Sequence, residues 1–344
     1  MPRLLSSFLL LLIAFAIAPR DSFAQAPDDP DEVIRVDTDV TNLPFTAIDK
    51  QKRFITTLQE ADIRVFEDGV PQQLFTFQRE TDRPLALALL IDISASEERT
   101  LPAEKAAARS FIETVLQSRK DQAAVIPFTG SAFLEQSLTR DVLGIYRALE
   151  RVEVAMPAYL GSGRAISGIV TGPGTRRAPP EGSTAIWDAI ALTASEVLAQ
   201  DSTPGHSQRR RAIILLTDGQ DTSSVLAIDQ AIDGALAAET VIYAIGIGDS
   251  KYEGVDRGVL RTVAERTGGR AFFPKKDVDL KQVFGEIERE LRTQYLLAYS
   301  STNKKRDGAF RQMRVEVVNP ELIKEKVMLR HRPGYFAKRS RNNR

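Results

Sequence analysis

Cysteine is absent from this 344-residue chain, and histidine occurs only twice. Without thiols the chain has no disulfide, no thiolate metal site and no lipid anchor through cysteine. His206 in a polar loop and His331 in a stretch of alternating character cannot build a zinc cluster, and both are predicted to be structural or solvated. Catalytic frames are missing too. Gly161-Ser162-Gly163 lacks the spacing of a nucleophile elbow, and Gly246-Ile-Gly248 lacks the rest of a dinucleotide fingerprint. A phosphatase with an Asp nucleophile would want a second Asp two residues after Asp92, where Ser94 stands. Charge of one sign is not in excess, since 46 basic residues meet 46 acidic ones, so nothing points to nucleic acid. The basic tail at 338–344 reads as a solvated terminus.

Long hydrophobic runs are lacking everywhere except at the start. Arg3 precedes an apolar run over residues 4–18, followed by Ser22-Phe-Ala24, a small-x-small cleavage pattern. Residues 1–24 therefore read as a secretory signal peptide, too short in their apolar part to span a bilayer comfortably. Their removal takes away Arg3, Arg20 and Asp21 and leaves 44 basic and 45 acidic side chains, a balance of −1. The mature chain is expected to be periplasmic or secreted and to owe its stability to packing. At 43% hydrophobic and 27% charged, it is long enough for two cores.

Residues 25–32 are polar and proline-bearing, a predicted disordered leader. From 33 to about 79 the pattern is short and strand-like. There Ile63-x-Val65-Phe66 and Leu74-Phe75-x-Phe77 flank Asp68-Gly69, a hairpin turn signal. Buried strands are predicted over 85–91, 123–128, 212–216 and 241–247. Helical periodicity separates them: Ala108, Ile112 and Leu116, then Ile186, Ile190, Ala194 and Val197, then 225–238 and 255–267. A short strand near 270–273 and a charged helix over 280–292 follow. This alternation predicts a doubly wound, Rossmann-like α/β domain over 83–292. Strands return at 294–300, 310–318 and 326–332 and in Pro333-Gly-Tyr-Phe336. The N-terminal β segment (33–82) and the C-terminal one (293–337) would together make a small β-sandwich into which the α/β domain is inserted. Two separate β modules are the alternative. The aperiodic stretch 154–182 is either a rim beside the site or a tolerated surface insertion.

The richest segment is 85–96, LALALLIDISAS, a buried strand that ends in Asp92, Ser94 and Ser96. Ligands of α/β sheets bind beyond the carboxyl ends of the strands, and a carboxylate with two hydroxyls there offers hard oxygen ligands for an ion such as Mg²⁺. Two further pieces follow in order: Glu181-Gly-Ser-Thr184-Ala-Ile-Trp-Asp188 and Ala212-Ile-Ile-Leu-Leu-Thr-Asp218-Gly. Together, Asp92-x-Ser94-x-Ser96, Thr184 and Asp218 resemble the metal-ion-dependent adhesion site (MIDAS) of von Willebrand factor type A (VWA) domains. Asp62-Ile-Arg-Val-Phe-Glu-Asp-Gly-Val-Pro-Gln, Arg292-Thr-Gln-Tyr-Leu-Leu-Ala-Tyr and Arg332-Pro-Gly-Tyr-Phe also resemble a bacterial subset, the VWFA-related Acidobacterial domain family.

The resemblance implies that Ser94, Ser96 and Thr184 bind the metal directly, while Asp92 and Asp218 supply charge directly or through water. It implies Mg²⁺, with Mn²⁺ or Ca²⁺ in its place, and one position left for a Glu or Asp carboxylate of a protein partner. The function it implies is an exported, non-enzymatic binding module; a metal-free structural or assembly scaffold and a metal-assisted hydrolase are the alternatives. Ala95 stands where the family commonly has Gly. Glu97 and Glu98 either favour a helix N-terminus by charge or intrude on the metal. Asp188 and Asp221 read as a helix-surface and a turn residue.

Overall fold

The computed structural model describes residues 40–81, 83–116, 120–154, 164–165, 183–199, 209–248, 254–275 and 277–339. The expected signal peptide and leader, His206, the end of the basic tail and nearly all of the 154–182 stretch lie outside the described residues.

The first strands are β1 (Val40–Ile48), β2 (Ile63–Glu67), β3 (Val70–Gln72) and β4 (Leu74–Glu80). Next come β5 (Leu85–Asp92), α1 (Leu101–Val115), β6 (Gln122–Phe128), β7 (Phe133–Leu134), β8 (Gln136–Thr139), α2 (Val142–Arg151) and β9 (Arg164–Ala165). The middle continues with α3 (Ile186–Leu192), β10 (Arg210–Thr217), α4 (Ile228–Ala237), β11 (Thr240–Gly246), α5 (Arg257–Arg266), β12 (Ala271–Phe272) and α6 (Asp277–Arg292). Last are β13 (Gln294–Ser300), β14 (Phe310–Val317), α7 (Pro320–Lys324), β15 (Met328–His331) and β16 (Gly334–Phe336).

The central six-stranded sheet has the order β12-β11-β10-β5-β6-β8 and is parallel except for β8. Strand β5 is buried along its whole length, and its Leu/Ala alternation sorts the two faces. Leu85, Leu87, Leu89 and Ile91 face the layer of α1, α2 and α6, where Phe111 meets Phe284 at 4.8 Å between ring centroids. Ala86, Ala88 and Leu90 face α3, α4 and α5. Burial on both faces is why this strand reads as an unbroken apolar run.

The predicted strands lie where expected, and the differences have local causes. Helix α4 begins at Ile228 rather than 225 because the Asp188 carboxylate accepts from the amides of Val225 (3.0 Å) and Leu226 (2.9 Å). The periodic stretch over Ile186, Ile190, Ala194 and Val197 is α-helical only to Leu192 and continues as a π-turn over Thr193–Leu198. Helix α2 has no counterpart among the predicted elements, although Asp141 caps it and Ile145, Ala148 and Leu149 form its buried stripe.

Both chain ends build two four-stranded antiparallel sheets, β15-β1-β13-β4 and β16-β14-β2-β3. Their common core includes Leu43, Phe45, Val65, Tyr295, Leu297 and Met313. Asp68-Gly69 does turn the chain, with φ at +48° and +81°, but it joins β2 to the short β3. The expected partner, Leu74 to Phe77, instead crosses to the other sheet as part of β4 and pairs with β13. Between the sheets the buried Glu67 carboxylate accepts from Tyr299 (2.8 Å), Tyr335 (3.0 Å) and Ser301. Burial and this carboxylate hold the Tyr299 hydroxyl far above its ordinary pKa. His331 is half-buried in β15 with Nε2 accepting from the Val315 amide at 3.3 Å, a structural role. Burial lowers its pKa, which favours the neutral ring.

Candidate metal centre

In the central sheet β5 is followed by β6 on one side, while β10 lies on its other side. The strand order reverses at β5, and a crevice at such a switch point is where open α/β sheets bind ligands. Asp92 ends β5 and Asp218 follows directly on β10, so topology alone brings these two carboxylates together.

Their setting is closely defined. Asp92 is fully buried. Its Oδ1 accepts from the Ser94 amide at 2.9 Å, and its Oδ2 from the Thr217 hydroxyl at 2.6 Å. The chain then turns so that the Ser94 and Ser96 hydroxyls lie 3.0 Å apart, Ser94 buried and Ser96 exposed. Asp218 Oδ1 accepts from the Gln220 amide at 2.9 Å, while its carbonyl accepts from the Asp256 amide at 2.8 Å, tying the loop to α5. Gly219 has φ +86°, and a Cβ there would lie 3.0 Å from Leu260 Cγ. Both its backbone conformation and its neighbour ask for glycine.

Thr184 arrives from a distant segment and is fastened from two sides. Its amide donates to the Thr222 hydroxyl at 2.8 Å, and its carbonyl accepts from the amides of Thr222 and Ser223. Thr129, just beyond β6, donates its hydroxyl to the Ser183 carbonyl at 2.7 Å and accepts from the Ala185 amide at 2.8 Å through its own carbonyl. The two acids read from sequence as surface and turn residues complete the fastening. Asp221 accepts from the Ile186 amide (2.7 Å) and the Ser224 hydroxyl (2.5 Å), capping α3 from another loop, while Asp188 on α3 holds Val225 and Leu226. Sequence reasoning names neither this latch nor Thr217. The one local hint was Thr217 standing directly before Asp218.

Glu97 is the outcome the sequence left open. It is buried, not spread over a helix end, and its carboxylate lies with those of Asp92 and Asp218, oxygens from all three falling within 4.8 Å of one another. Glu98 is exposed. Glu104, in the first turn of α1, is also fully buried and close enough to Glu97 for the two carboxyls to influence each other. Burial pushes Asp92 up to about 6, against hydrogen bonds from Thr217 and Ser94, with Asp218 adding to the rise. Burial and then the neighbouring acids push Glu97 well above the carboxylate range, and burial raises Glu104 too.

These shifts set a sign. A carboxyl whose folded pKa is raised stabilises the fold fully below its unfolded pKa, and that contribution is lost as pH rises through the folded value. For Asp92 the loss runs from its ordinary 3.8 to about 6, and the glutamates extend it upward. In the presence of a chelator, the melting temperature is expected to fall by several degrees between about pH 5 and pH 8. A melting temperature that rises over this range would contradict the assignment.

Two family profiles, each described as the von Willebrand factor type A domain, match residues 87–220 and 175–286. Among curated proteins none matches. Solved structures with a similar fold include BatB from Bacteroides thetaiotaomicron, 17% identical with a TM-score of 0.44, covering 61% of this chain and 100% of that chain. A von Willebrand factor type A structure from Catenulispora acidiphila is 15% identical with a TM-score of 0.46, covering 81% and 76% respectively. Proximal thread matrix protein 1 from the mussel byssus, solved with a zinc-occupied MIDAS motif, is 15% identical with a TM-score of 0.44, covering 61% and 48%. The two profiles together run over residues 87–286, across the parallel sheet and the loops at its carboxyl edge, and this chain belongs to the von Willebrand factor type A domain proteins.

Proposed function

We propose that this chain is an exported, non-enzymatic binding module that engages an acidic group of a protein partner through a divalent ion held at Asp92, Ser94, Ser96, Thr184 and Asp218. The observation that carries this reading is the meeting of Asp92 and Asp218 at the switch point, beside two hydroxyls 3.0 Å apart. The donors fit a hard cation. All are oxygens, and the orphaned, buried Glu97 Oε1 beside them has no hydrogen-bond partner of its own. In this reading Ser94, Ser96 and Thr184 bind the ion and the two aspartates neutralise it. Mg²⁺, or Mn²⁺ or Ca²⁺ in its place, would supply the positive charge that a partner's carboxylate completes. Export rests on residues 1–24. No helix among the described residues is long and apolar enough to cross a membrane.

Calorimetric titration of the metal-free protein with Mg²⁺ and Mn²⁺ tests the first half, with one ion bound per chain at sub-millimolar concentration as the expected result. A pull-down from the exported fraction tests the second half, with chelator and free glutamate each expected to release the partner. Absence of metal binding at millimolar concentration would leave the metal-free scaffold as the better reading, whereas metal-dependent turnover of an ester or phosphoester would overturn the non-enzymatic one.

A further inference from the structure

A MIDAS-type shell of hydroxyls and two carboxylates does not account for Glu97 and Glu104. Glu97 Oε2 accepts from the Thr100 hydroxyl at 2.6 Å, which leaves Oε1 buried without a partner. Glu104 is fully buried behind it, and its carboxyl interacts with that of Glu97 and with the hydroxyl of Thr100. A buried acceptor left unsatisfied costs roughly 1–3 kcal/mol, and more if charged, so the Glu97 Oε1 beside the crevice needs a compensating group. Glu97 also lies with Asp92 and Asp218, all three offering oxygens within 4.8 Å of one another. Oxygens on opposite sides of an ion lie about 4.2 Å apart for Mg²⁺ and about 4.8 Å apart for Ca²⁺, so this triangle can share one cation.

We propose that Glu97 is a third carboxylate of the metal site and Glu104 the buried residue that positions it, so that the ion is neutralised from inside the domain. This rests on the metal-binding reading above and changes what the site does. A shell of hydroxyls and two aspartates leaves the ion dependent on a partner's carboxylate. With a third carboxylate beneath it, the ion is retained before any partner arrives, and Glu97 sets how much positive charge remains to attract one.

The test is Mn²⁺ binding by calorimetry to the full mature chain and to Glu97→Gln, Glu104→Gln and Ser94→Ala, each with its metal-free melting temperature. Glutamine keeps the shape and the acceptor for Thr100 while removing the charge. The expected result is at least a tenfold loss of affinity for Glu97→Gln and a smaller loss for Glu104→Gln, with metal-free melting temperatures no lower than that of the wild type. If Glu97→Gln binds Mn²⁺ as tightly as the wild type while Ser94→Ala binds it weakly, the proposal falls and the five-residue site stands. If the wild type itself binds no metal, the site reading fails and takes this proposal with it. A Glu97→Gln chain that loses affinity only because its metal-free form has melted at the assay temperature counts against the proposal as well.

Discussion

Asp92→Asn is expected to abolish detectable metal binding, a loss of a hundredfold or more in affinity, while leaving the fold intact. Asparagine is the informative substitution because of the hydrogen bonds around this side chain. Its Oδ1 can still accept from the Ser94 amide, and its Nδ2 can donate to a rotated Thr217 hydroxyl, which now donates to Asp92 Oδ2 at 2.6 Å. The shape is kept and the charge is lost, while the Thr217 hydroxyl has to turn its proton away from this side chain. Changes to groups that support a metal shell cost about 10–100-fold in affinity, and a carboxylate that supplies charge to the ion sits at or beyond that limit. The metal-free variant should melt at or above the wild-type temperature at neutral pH, because a carboxylate that burial penalises has been removed. Alanine would be a poorer test, since it strands both a buried amide and a buried hydroxyl. Unchanged Mn²⁺ affinity in Asp92→Asn would remove this residue from the site.

The second large effect concerns stability alone. Glu67→Ala is expected to destabilise the protein by about 3–5 kcal/mol, because Tyr299, Tyr335 and Ser301 would all lose their acceptor and two of these donors are buried between the sheets. Glu67→Gln keeps one acceptor oxygen and should cost less. Urea denaturation followed by the fluorescence of Trp187 and by far-ultraviolet circular dichroism measures both. A loss below about 1 kcal/mol for the alanine variant would mean that water replaces the carboxylate readily, and the network would not be what joins the two sheets.

The core of the fold was legible because burial leaves a strong imprint on sequence. Strand β5 is buried on both faces and reads as an apolar run, and its end is marked by the polar triplet that carries the site. Asp218 was legible for the same reason, at the end of β10. What escaped is made by side chains meeting across long separations, which leave no periodicity. Asp221 caps a helix that begins 35 residues earlier in the chain, so its amide partner cannot be inferred from neighbouring residues. Glu97 was ambiguous because an acid after Ser96 suits a helix start as well as a buried site, and only the fold decides which way its side chain turns. The phrases at the two chain ends that resemble one bacterial subset turn out to hold Glu67, Tyr299 and Tyr335, which meet in one network. Their spacing in sequence gave no sign of that contact.

Strand β13 lies between β1 and β4 and pairs with both, yet the entire α/β domain separates it from them along the chain. During synthesis β1 to β4 emerge first and wait. Once folded, the central domain clasps the two chain ends near each other, replacing a long, floppy closure with a short one. The reverse also holds. If the α/β domain opens, that clasp is lost, and β1 and β4 become unpaired edges of the kind that recruit other strands. Unfolding of the α/β domain would then surface as aggregation or proteolysis at the sandwich.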